Sequence, residues 1–348
     1  MLIYLDILKE LVYEAKKTLK EGRNGKTYSV FGKQLKFNLK NQLPIVTTKK
    51  VFFRGIIEEL LFILNGKTNT KELESKKVNI WKQNTSREFL DKIGKNYEEG
   101  EMGPMYGYNI RYYGKPYPDK QPLNVDQQPY FDQLQNVINL LINDPNSRRI
   151  IYTTYNPLNS EQGVLYPCHG LIVQFYVTIV GDVRYVKLHV YQRSADILLG
   201  LPFNITSYAV LAYILCDHIN AIISDKKESG SNIKSGDSGG AGRSVDSGAG
   251  SSIASSTSGV YGNRSADCKS IDGDDKIIYK PDELIISLGD VHLYEEHLEA
   301  AKLQLTRQPF ILPTLSIKPF KAIEELTYDH FILNNYVHHD AINAIMKS

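Results

Sequence analysis

The chain has 348 residues, of which 42% are hydrophobic and 23% charged, and its formal net charge is +2. This length can bury a substantial core, and the composition is ordinary for a soluble globular protein. The near balance of charges argues against a general nucleic-acid or membrane surface. Three widely separated cysteines favour neither a disulfide framework nor a zinc site, so we expect a reducing compartment and a cytoplasmic location.

The N-terminal segment, 1–22, is predicted to form an amphipathic helix rather than a signal peptide. Acidic residues interrupt its apolar spacing, and no cleavage-site pattern follows. We expect no apolar run of the chain to be long enough to span a bilayer.

Alternating and periodic segments then predict a mixture of strands and helices. Strands are expected at 28–32 and 35–39, and a helix with one apolar face at 53–65. Glu58 and Glu59 fall on adjacent sides of that face. At least one carboxylate should lie near apolar groups, where its pKa would be raised and it could relay a proton. Without other evidence, exposure of both glutamates is the plainer interpretation.

The same alternation continues along the chain. Two adjacent arginines, Arg148 and Arg149, are predicted to open a strand and to point to its opposite faces. Such a pair is usually a solvated strand end, and joint binding of an anion is the rarer case. Further helices are expected at 132–142, 207–221 and 295–306, and strands at 170–177, 186–191, 282–288 and 314–317.

A change of composition marks an insertion at about 224–275. Gly, Ser and Asp dominate this segment and apolar residues are sparse. It cannot offset the entropy lost on ordering, so we predict a disordered loop within a single domain. Cys268 would be an incidental thiol inside it.

Cys168 stands in a Pro-Cys-His turn that runs into the apolar strand at 170–177. A thiol at the mouth of a strand is a candidate nucleophile, provided that nearby positive charge lowers its pKa. The alternative is a small core hydrophobe, the usual role of a free cysteine, and this stretch leaves both interpretations open. A hydrolase pair of Cys168 and His169 is disfavoured, because neighbours on a strand face opposite ways.

A second stretch, 190–208, places Arg193, Asp196 and Asn204 among many apolar residues. Burying such polar groups in a core costs free energy unless they bind a ligand. Together with the Cys168 stretch, it resembles the thymidylate synthase family, folate-dependent enzymes that methylate dUMP. Segments that match the family in type and order also occur at 43–49, 59–61, 80–81, 103–107, 148–151 and 289–294.

The resemblance implies an α/β (α+β) fold, a single domain on a large mixed, bent β-sheet flanked by helices. Two such sheets would pack against each other in a homodimer. The implied enzyme is a methyltransferase that makes dTMP from dUMP. Its co-substrate 5,10-methylenetetrahydrofolate supplies carbon and hydride, so no metal, flavin or nicotinamide is implied, and neither a membrane nor a nucleic-acid partner is expected.

The family's chemical roles fall on identifiable residues of this chain. Cys168 would add to C6 of dUMP, because the pyrimidine C5 is a poor nucleophile before that covalent step. Glu59 would steer proton transfers, and Tyr106 would assist removal of the C5 proton. Asn204 would read O4 and N3 of uracil, which favours dUMP over dCMP. Asp196 belongs to both the catalytic set and the folate site.

The resemblance also implies a phosphate site. Arg193, Ser194 and Arg23 would hold the 5′-phosphate, while Arg148 and Arg149 would reach it from the partner subunit. These guanidiniums suit bidentate phosphate binding and would lower the pKa of Cys168. The other implied dUMP contacts are Gln192, His292 and Tyr294, and the implied folate contacts are Lys49, Ile80, Trp81, Asp196, Gly200 and Phe203.

Two other functions stay open at this point. A hydroxymethylase of the same fold would capture the methylene intermediate with water, although the indole of Trp81 argues for exclusion of water. A catalytically degenerate homologue would act as a binding protein. The tail at 331–342 looks like the family's C-terminal segment, which closes over bound ligand. Departures from the usual family residues at Phe62, Lys82, Ile110 and Ser348 concern the folate pocket and closure rather than the reaction type.

Overall fold

The computed structural model describes residues 1–14, 19–22, 24–117, 129–231 and 277–345. At its centre is a six-stranded sheet in the order β1-β2-β6-β5-β4-β3, and β7 and β8 form a two-stranded sheet. The strands are β1 (Leu19–Gly22), β2 (Gly25–Asn38), β3 (Ile151–Tyr152), β4 (Ile172–Val180), β5 (Val183–Asp196), β6 (Ile278–Tyr294), β7 (Thr314–Ile317) and β8 (Phe331–Asn334).

Helices flank this sheet. They are α1 (Leu2–Tyr13), α2 (Phe53–Leu64), α3 (Lys71–Ser75), α4 (Arg87–Lys92), α5 (Gly107–Arg111), α6 (Gln133–Asn143), α7 (Gly200–Ser231) and α8 (Leu298–Leu305). Short 3₁₀ turns lie at Gln83–Thr85, Glu295–His297, Ile323–Glu325 and Tyr328–His330.

The large sheet is mixed. β5 and β6 run parallel, and every other pair of neighbours in it is antiparallel. The register of β5 on β6 shifts between Val186 and Lys187, an irregularity of the kind that bends a strand. The predicted fold class, an α/β domain on a large mixed sheet flanked by helices, is confirmed.

Two clusters of buried apolar side chains hold these layers together. The larger lies between the sheet and α1, α2, α6 and α7. The smaller contains Phe62 of α2, Met105 and Tyr106, with Trp81 packed against it. Phe62, one of the departures from the family that the sequence resembles, is thus a buried aromatic ring. Since Tyr106 belongs to this cluster, packing around α2 positions one of the proposed catalytic residues.

Helix α7 corrects two expectations. Residues 200–225 are long and apolar enough to cross a membrane by length and composition, with a mean hydropathy of 1.3, so the expectation of no such run is wrong. However, 61% of the most apolar 18-residue stretch of this helix is buried inside the fold, as in the core helix of a globular protein. The helix also continues to Ser231, beyond the expected start of the insertion at about 224, because Lys and Glu there are good helix formers.

Three further boundaries differ from the sequence predictions. The N-terminal helix α1 ends at Tyr13 rather than at residue 22, and Leu19–Gly22 form β1. β2 is one strand where two were expected, because Gly32 adopts a φ of 75° and both halves pair with β6. β3 is confined to Ile151 and Tyr152, so Arg148 and Arg149 lie before the strand rather than opening it. The predicted disorder at 232–275 concerns residues outside the described part of the chain.

Candidate active site

Cys168 lies before β4, in contact with the hydroxyl of Tyr106. The Tyr106 Oη atom is 3.4 Å from Cys168 Sγ and accepts a hydrogen bond from the Cys168 amide at 3.1 Å. The Cys168 carbonyl accepts from the backbone amide of Arg193 at 2.9 Å, which ties the segment to β5. The thiol is thus held between the loop that carries Tyr106 and the strand that carries Arg193.

The pKa of Cys168 is raised, because burial disfavours the thiolate. The hydrogen bond with Tyr106 and the charge of Arg193 both act in the opposite direction, but they do not cancel the effect of burial. Arg193 therefore acts on this pKa in the expected direction, but burial in the single chain outweighs its charge. The raised pKa favours the protonated thiol, so a role as nucleophile would require loss of that proton.

Arg193 reaches back along the segment that precedes Cys168. Its Nε donates to the carbonyl of Pro167 at 2.9 Å, and its Nη2 donates to the carbonyl of Tyr166 at 3.0 Å. The side chain is exposed. A Cβ on Gly289 of β6 would lie 2.6 Å from the Arg193 carbonyl oxygen, so only glycine allows this close approach of the two strands. The guanidinium is oriented toward the site and still open to an anion.

Glu59 and Trp81 form a direct pair. The indole Nε1 donates to Glu59 Oε1 at 2.7 Å, and the indole ring lies edge-on to Tyr106 with centroids 5.9 Å apart. Burial raises the pKa of Glu59 to about 7, and the Trp81 hydrogen bond acts against this shift. The predicted rise in pKa is confirmed for Glu59, while its neighbour Glu58 is buried in an ion pair with Lys76 at 2.7 Å.

A cavity of about 280 Å³ brings together several residues expected to hold the nucleotide. Ser194, His292 and Tyr294 line it, and the β1–β2 hairpin closes one side. The His292 Nδ1 atom lies 2.8 Å from Asp290 Oδ1, which orients the imidazole. Arg23 lies outside the described residues, although Gly22 and Asn24 on either side of it line this cavity.

Asn204 and Gln192 present amides that the protein leaves incompletely paired. Asn204, on α7, is 8% exposed, and its side chain makes no hydrogen bond with a described residue. Gln192 is 1% exposed and donates to the Ser194 carbonyl at 3.0 Å, but its Oε1 has no partner in the described part of the chain. Buried amides without partners are rare, so both groups are suited to a ligand or an ordered water.

The residues expected to line a folate site fall into two groups. Ile80 and Trp81 lie near Tyr106, whereas the second group surrounds the turn from β5 into α7. In that turn Asp196 Oδ1 accepts from the amides of Leu198 and Leu199 at 2.9 and 3.1 Å. The rest of this second group is Lys49, Gly200 and Phe203.

Lys49 is buried, and its ammonium donates to the Leu198 carbonyl. Burial lowers its pKa to about 8, while the charge of Asp196 opposes the shift. The C-terminal segment packs on the same loop, because Tyr336 Oη donates to the Val46 carbonyl at 2.7 Å and the His339 amide donates to Thr47 at 2.9 Å. This segment therefore borders the residues assigned to folate.

Arg148 and Arg149 are not brought to the Cys168 cluster within one chain. Both are exposed, and neither side chain makes a hydrogen bond or ion pair with a described residue. They remain available to a partner.

Tyr208 was missed from the sequence, and His169 was considered only as a hydrolase partner of Cys168 and set aside. The His169 ring stacks on Tyr106 with centroids 4.6 Å apart and planes 22° apart, and its Nδ1 lies 2.8 Å from Tyr208 Oη. Strand alternation was the reason to set His169 aside, but β4 begins only at Ile172. The Pro-Cys-His turn was the signal that could have identified it.

No metal centre is evident in the parts of the chain that the structure describes. There, no group of three or more His, Cys, Asp or Glu side chains could hold a metal ion.

Comparison with known proteins shows similarity along nearly the whole chain. The family model described as thymidylate synthase matches residues 2–227 and 275–348. The chain is 35% identical to the human thymidylate synthase over 330 residues, which cover 94% of this chain and 85% of that protein. It is 36% identical to the bifunctional dihydrofolate reductase-thymidylate synthases of Paramecium tetraurelia, over 99% of this chain and 60% of the relative, and of Plasmodium berghei, over 99% and 48%. The chain thus spans about half the length of these bifunctional relatives.

Proposed function

Because this chain belongs to the thymidylate synthase family, we propose that it converts dUMP to dTMP with 5,10-methylenetetrahydrofolate as donor of carbon and hydride. The observation that carries this proposal is the cluster of Cys168, Tyr106 and the Glu59–Trp81 pair. This arrangement supports the proposal, because a thiol that can act as a nucleophile lies near two groups that can move protons. Dihydrofolate would be the second product.

The covalent step begins at Cys168. Attack of its sulfur on C6 of dUMP moves an electron pair toward O4 and makes C5 nucleophilic toward the methylene carbon of the folate. The thiol pKa is raised by burial, so sulfur must lose its proton as the bond forms. Tyr106 and Arg193 both favour the thiolate and would stabilise the charge that develops. Release of the methylated product returns the thiol.

Glu59 is suited to proton transfer at neutral pH. With a pKa of about 7, its carboxyl group is present in both protonation states, the condition for efficient general acid–base catalysis. The hydrogen bond from Trp81 fixes one carboxyl oxygen, which leaves the other for a proton at the pyrimidine O4 or on a water. Tyr106 Oη, at the thiol, would assist removal of the C5 proton.

The nucleotide would be bound by groups on the sheet and on α7. Arg193 and Ser194, with Arg23, would receive the phosphate, and His292 and Tyr294 would contact the ribose in the adjoining cavity. Asn204 would pair with N3–H and O4 of uracil, because a carboxamide can accept from one and donate to the other. Folate would lie over Trp81 and the turn at Asp196.

We propose that two copies form a homodimer through the open face of the sheet. Paired strands place Ile172 beside Tyr191 on that face, and Tyr176 and Ile151 share it. These side chains are 40–61% exposed in the single chain. Apolar residues on one face of a sheet normally pack against another layer, and a C2 partner would cover the same patch on both copies.

A cytoplasmic location is part of this proposal. Cys168 and Cys216 are both unpaired thiols, which a reducing compartment preserves. Cell fractionation with an antibody to the protein tests it, and recovery in an oxidising compartment would contradict it.

The deciding experiment supplies purified protein with dUMP and 5,10-methylenetetrahydrofolate. Near-UV absorbance follows dihydrofolate, and chromatography identifies the nucleotide. We expect dTMP and dihydrofolate to form together and to vanish in Cys168→Ala, whereas Cys216→Ala, a thiol buried in the core, keeps activity. Hydroxymethyl-dUMP without folate oxidation would assign the hydroxymethylase instead. Binding of dUMP by a folded protein without turnover would contradict both enzymatic functions.

A further inference from the structure

His169 and Tyr208 form a hydrogen-bonded pair beside Cys168. The Tyr208 hydroxyl lies 2.8 Å from His169 Nδ1, and this is its one hydrogen bond to a described residue. Tyr208, on α7, is 6% exposed. The His169 ring stacks on Tyr106, whose hydroxyl contacts the reactive thiol. Tyr208 therefore reaches the catalytic cluster through a single imidazole.

The Tyr208 hydroxyl occupies space that is free because Gly170 has no side chain. A Cβ added to Gly170 would lie 2.2 Å from Tyr208 Oη, so any larger residue would displace the hydroxyl. Gly170 also has a φ of 62°, a conformation that favours glycine. This close approach is what allows the hydroxyl to reach the edge of the His169 ring.

Two proton arrangements are possible in the pair. If Nδ1 carried the proton, it would donate to Tyr208, and the buried phenol O–H would lack an acceptor among the described residues. Leaving such a donor unpaired is costly. If Tyr208 donates to Nδ1, both groups are satisfied and the ring proton resides on Nε2. Burial also lowers the pKa of His169 to about 4, so the neutral ring carries one proton at neutral pH.

We propose that Tyr208 is a positioning residue that fixes His169 in its Nε2–H tautomer, so that the imidazole presents a hydrogen-bond donor to the bound pyrimidine. Nε2 makes no hydrogen bond with a described residue, which leaves it for ligand. The carbonyl oxygen that gains charge when Cys168 attacks is an acceptor for such a donor. The role of Tyr208 in catalysis rests on the proposed function, whereas the tautomer of His169 is independent of that function.

The tautomer can be measured directly by ¹⁵N NMR of histidine-labelled protein without ligands. Protonated and bare ring nitrogens differ strongly in chemical shift, and the His169→Gln spectrum identifies the signals of His169 among the 8 histidines. We expect a protonated Nε2 and a bare Nδ1 in the wild type. A proton on Nδ1 would overturn the proposal, whether or not the protein turns over dUMP.

Tyr208→Phe removes the donor without changing the ring. We expect His169 to become a mixture of tautomers and kcat to fall about tenfold, the effect of one neutral hydrogen bond, with KM for dUMP changed less than about twofold. Tyr213→Phe is the matched control on the same helix, because that hydroxyl donates to the Leu39 carbonyl at 2.6 Å, away from the site. Tyr213→Phe should change neither the tautomer of His169 nor kcat.

An unchanged tautomer or an unchanged kcat in Tyr208→Phe would overturn the positioning role. If that variant does not fold, the wild-type spectrum still decides the tautomer. Absence of turnover in the wild type would count against the proposed function and leave the spectroscopic result standing.

Discussion

At the scale of single residues, burial sets the protonation states in this site. It raises the pKa of Glu59 to about 7 and lowers that of His169 to about 4. Both shifts favour the neutral form, since desolvation disfavours charge of either sign. Around neutral pH the site therefore holds a neutral imidazole and a carboxyl group ready to gain or lose a proton, beside the fixed charge of Arg193.

The shift at Glu59 has a measurable effect on stability. Its pKa rises from 4.5 unfolded to about 7 folded, so the native state binds the proton more tightly and loses stability as pH rises through that interval. Glu59→Gln removes this loss while keeping an oxygen for Trp81. We expect the variant to unfold with a free energy about 3 kcal/mol above wild type at pH 8, and equal to it below pH 4.5.

Urea titrations from pH 4 to pH 9 measure this difference. Glu88→Gln, at an exposed position of α4, is the control for the exchange of a glutamate for a glutamine. A Glu59→Gln difference of the same size at every pH would show that ionisation of Glu59 is not its cause. Turnover by Glu59→Gln should fall by about 100-fold or more, the range that general acid–base catalysis supplies.

At the scale of elements, α5 holds Tyr106 in place by close packing on α2. Tyr106 has a φ of 35° and a ψ of −96°, a conformation that side chains rarely adopt. A Cβ on Gly107 would come within 2.3 Å of the Ile63 carbonyl oxygen. Backbone contact with α2 thus keeps Tyr106 in its strained turn, in line with strain found at functional sites.

Gly107→Ala should disturb this arrangement. The methyl group has to push α5 from α2, so we expect a loss of about 1–3 kcal/mol in the free energy of unfolding and a fall in kcat. Gly200→Ala is the stability control, because its Cβ would meet nothing closer than 3.7 Å. Thermal unfolding compares the two variants. Equal stability of Gly107→Ala and wild type would show that α5 can shift freely.

Local patterns explain which elements the sequence could predict. The apolar face of α2 and the alternation of β4 are readable because they depend on neighbours within a turn or a few residues. The resemblance assigned Cys168 and Arg193 to one site, and the structure joins their backbones by a hydrogen bond.

Contacts between residues far apart in the sequence could not be predicted from local patterns. The bond from Trp81 to Glu59 and the contact of Tyr208 with His169 join residues 22 and 39 positions apart. No periodicity encodes them. The net pKa of Cys168 depends on burial against the charge of Arg193, a balance that only the packed structure supplies.

At the scale of the whole molecule, the Gly/Ser-rich segment should be dispensable. The family match omits residues 228–274, and α7 packs against β6, so the elements before and after the segment are neighbours. We expect replacement of 232–276 by a short Gly-Ser linker to preserve kcat and Tm. A scrambled segment of equal length separates the effect of length from that of sequence. Lost turnover in a folded deletion variant would assign the segment to the active site.

The proposed dimer makes each site depend on two subunits. Cys168 lies in one subunit, whereas Arg148 and Arg149 would bind phosphate in the site of the other. We expect Cys168→Ala and the double variant Arg148→Glu, Arg149→Glu to be inactive alone. In a mixed dimer, one site combines the intact thiol with the intact arginine pair, while the second site lacks both.

Mixing the two inactive variants under conditions that exchange subunits should therefore restore activity. Half of the dimers would be mixed and each would have one intact site of two, giving roughly a quarter of wild-type turnover. If the arginines served their own subunit, every site would lack one component and no activity would return. Adding Tyr176→Asp to both variants is the control. A buried carboxylate at the centre of the sheet face should prevent pairing, so the recovered activity should disappear together with the dimer in sedimentation.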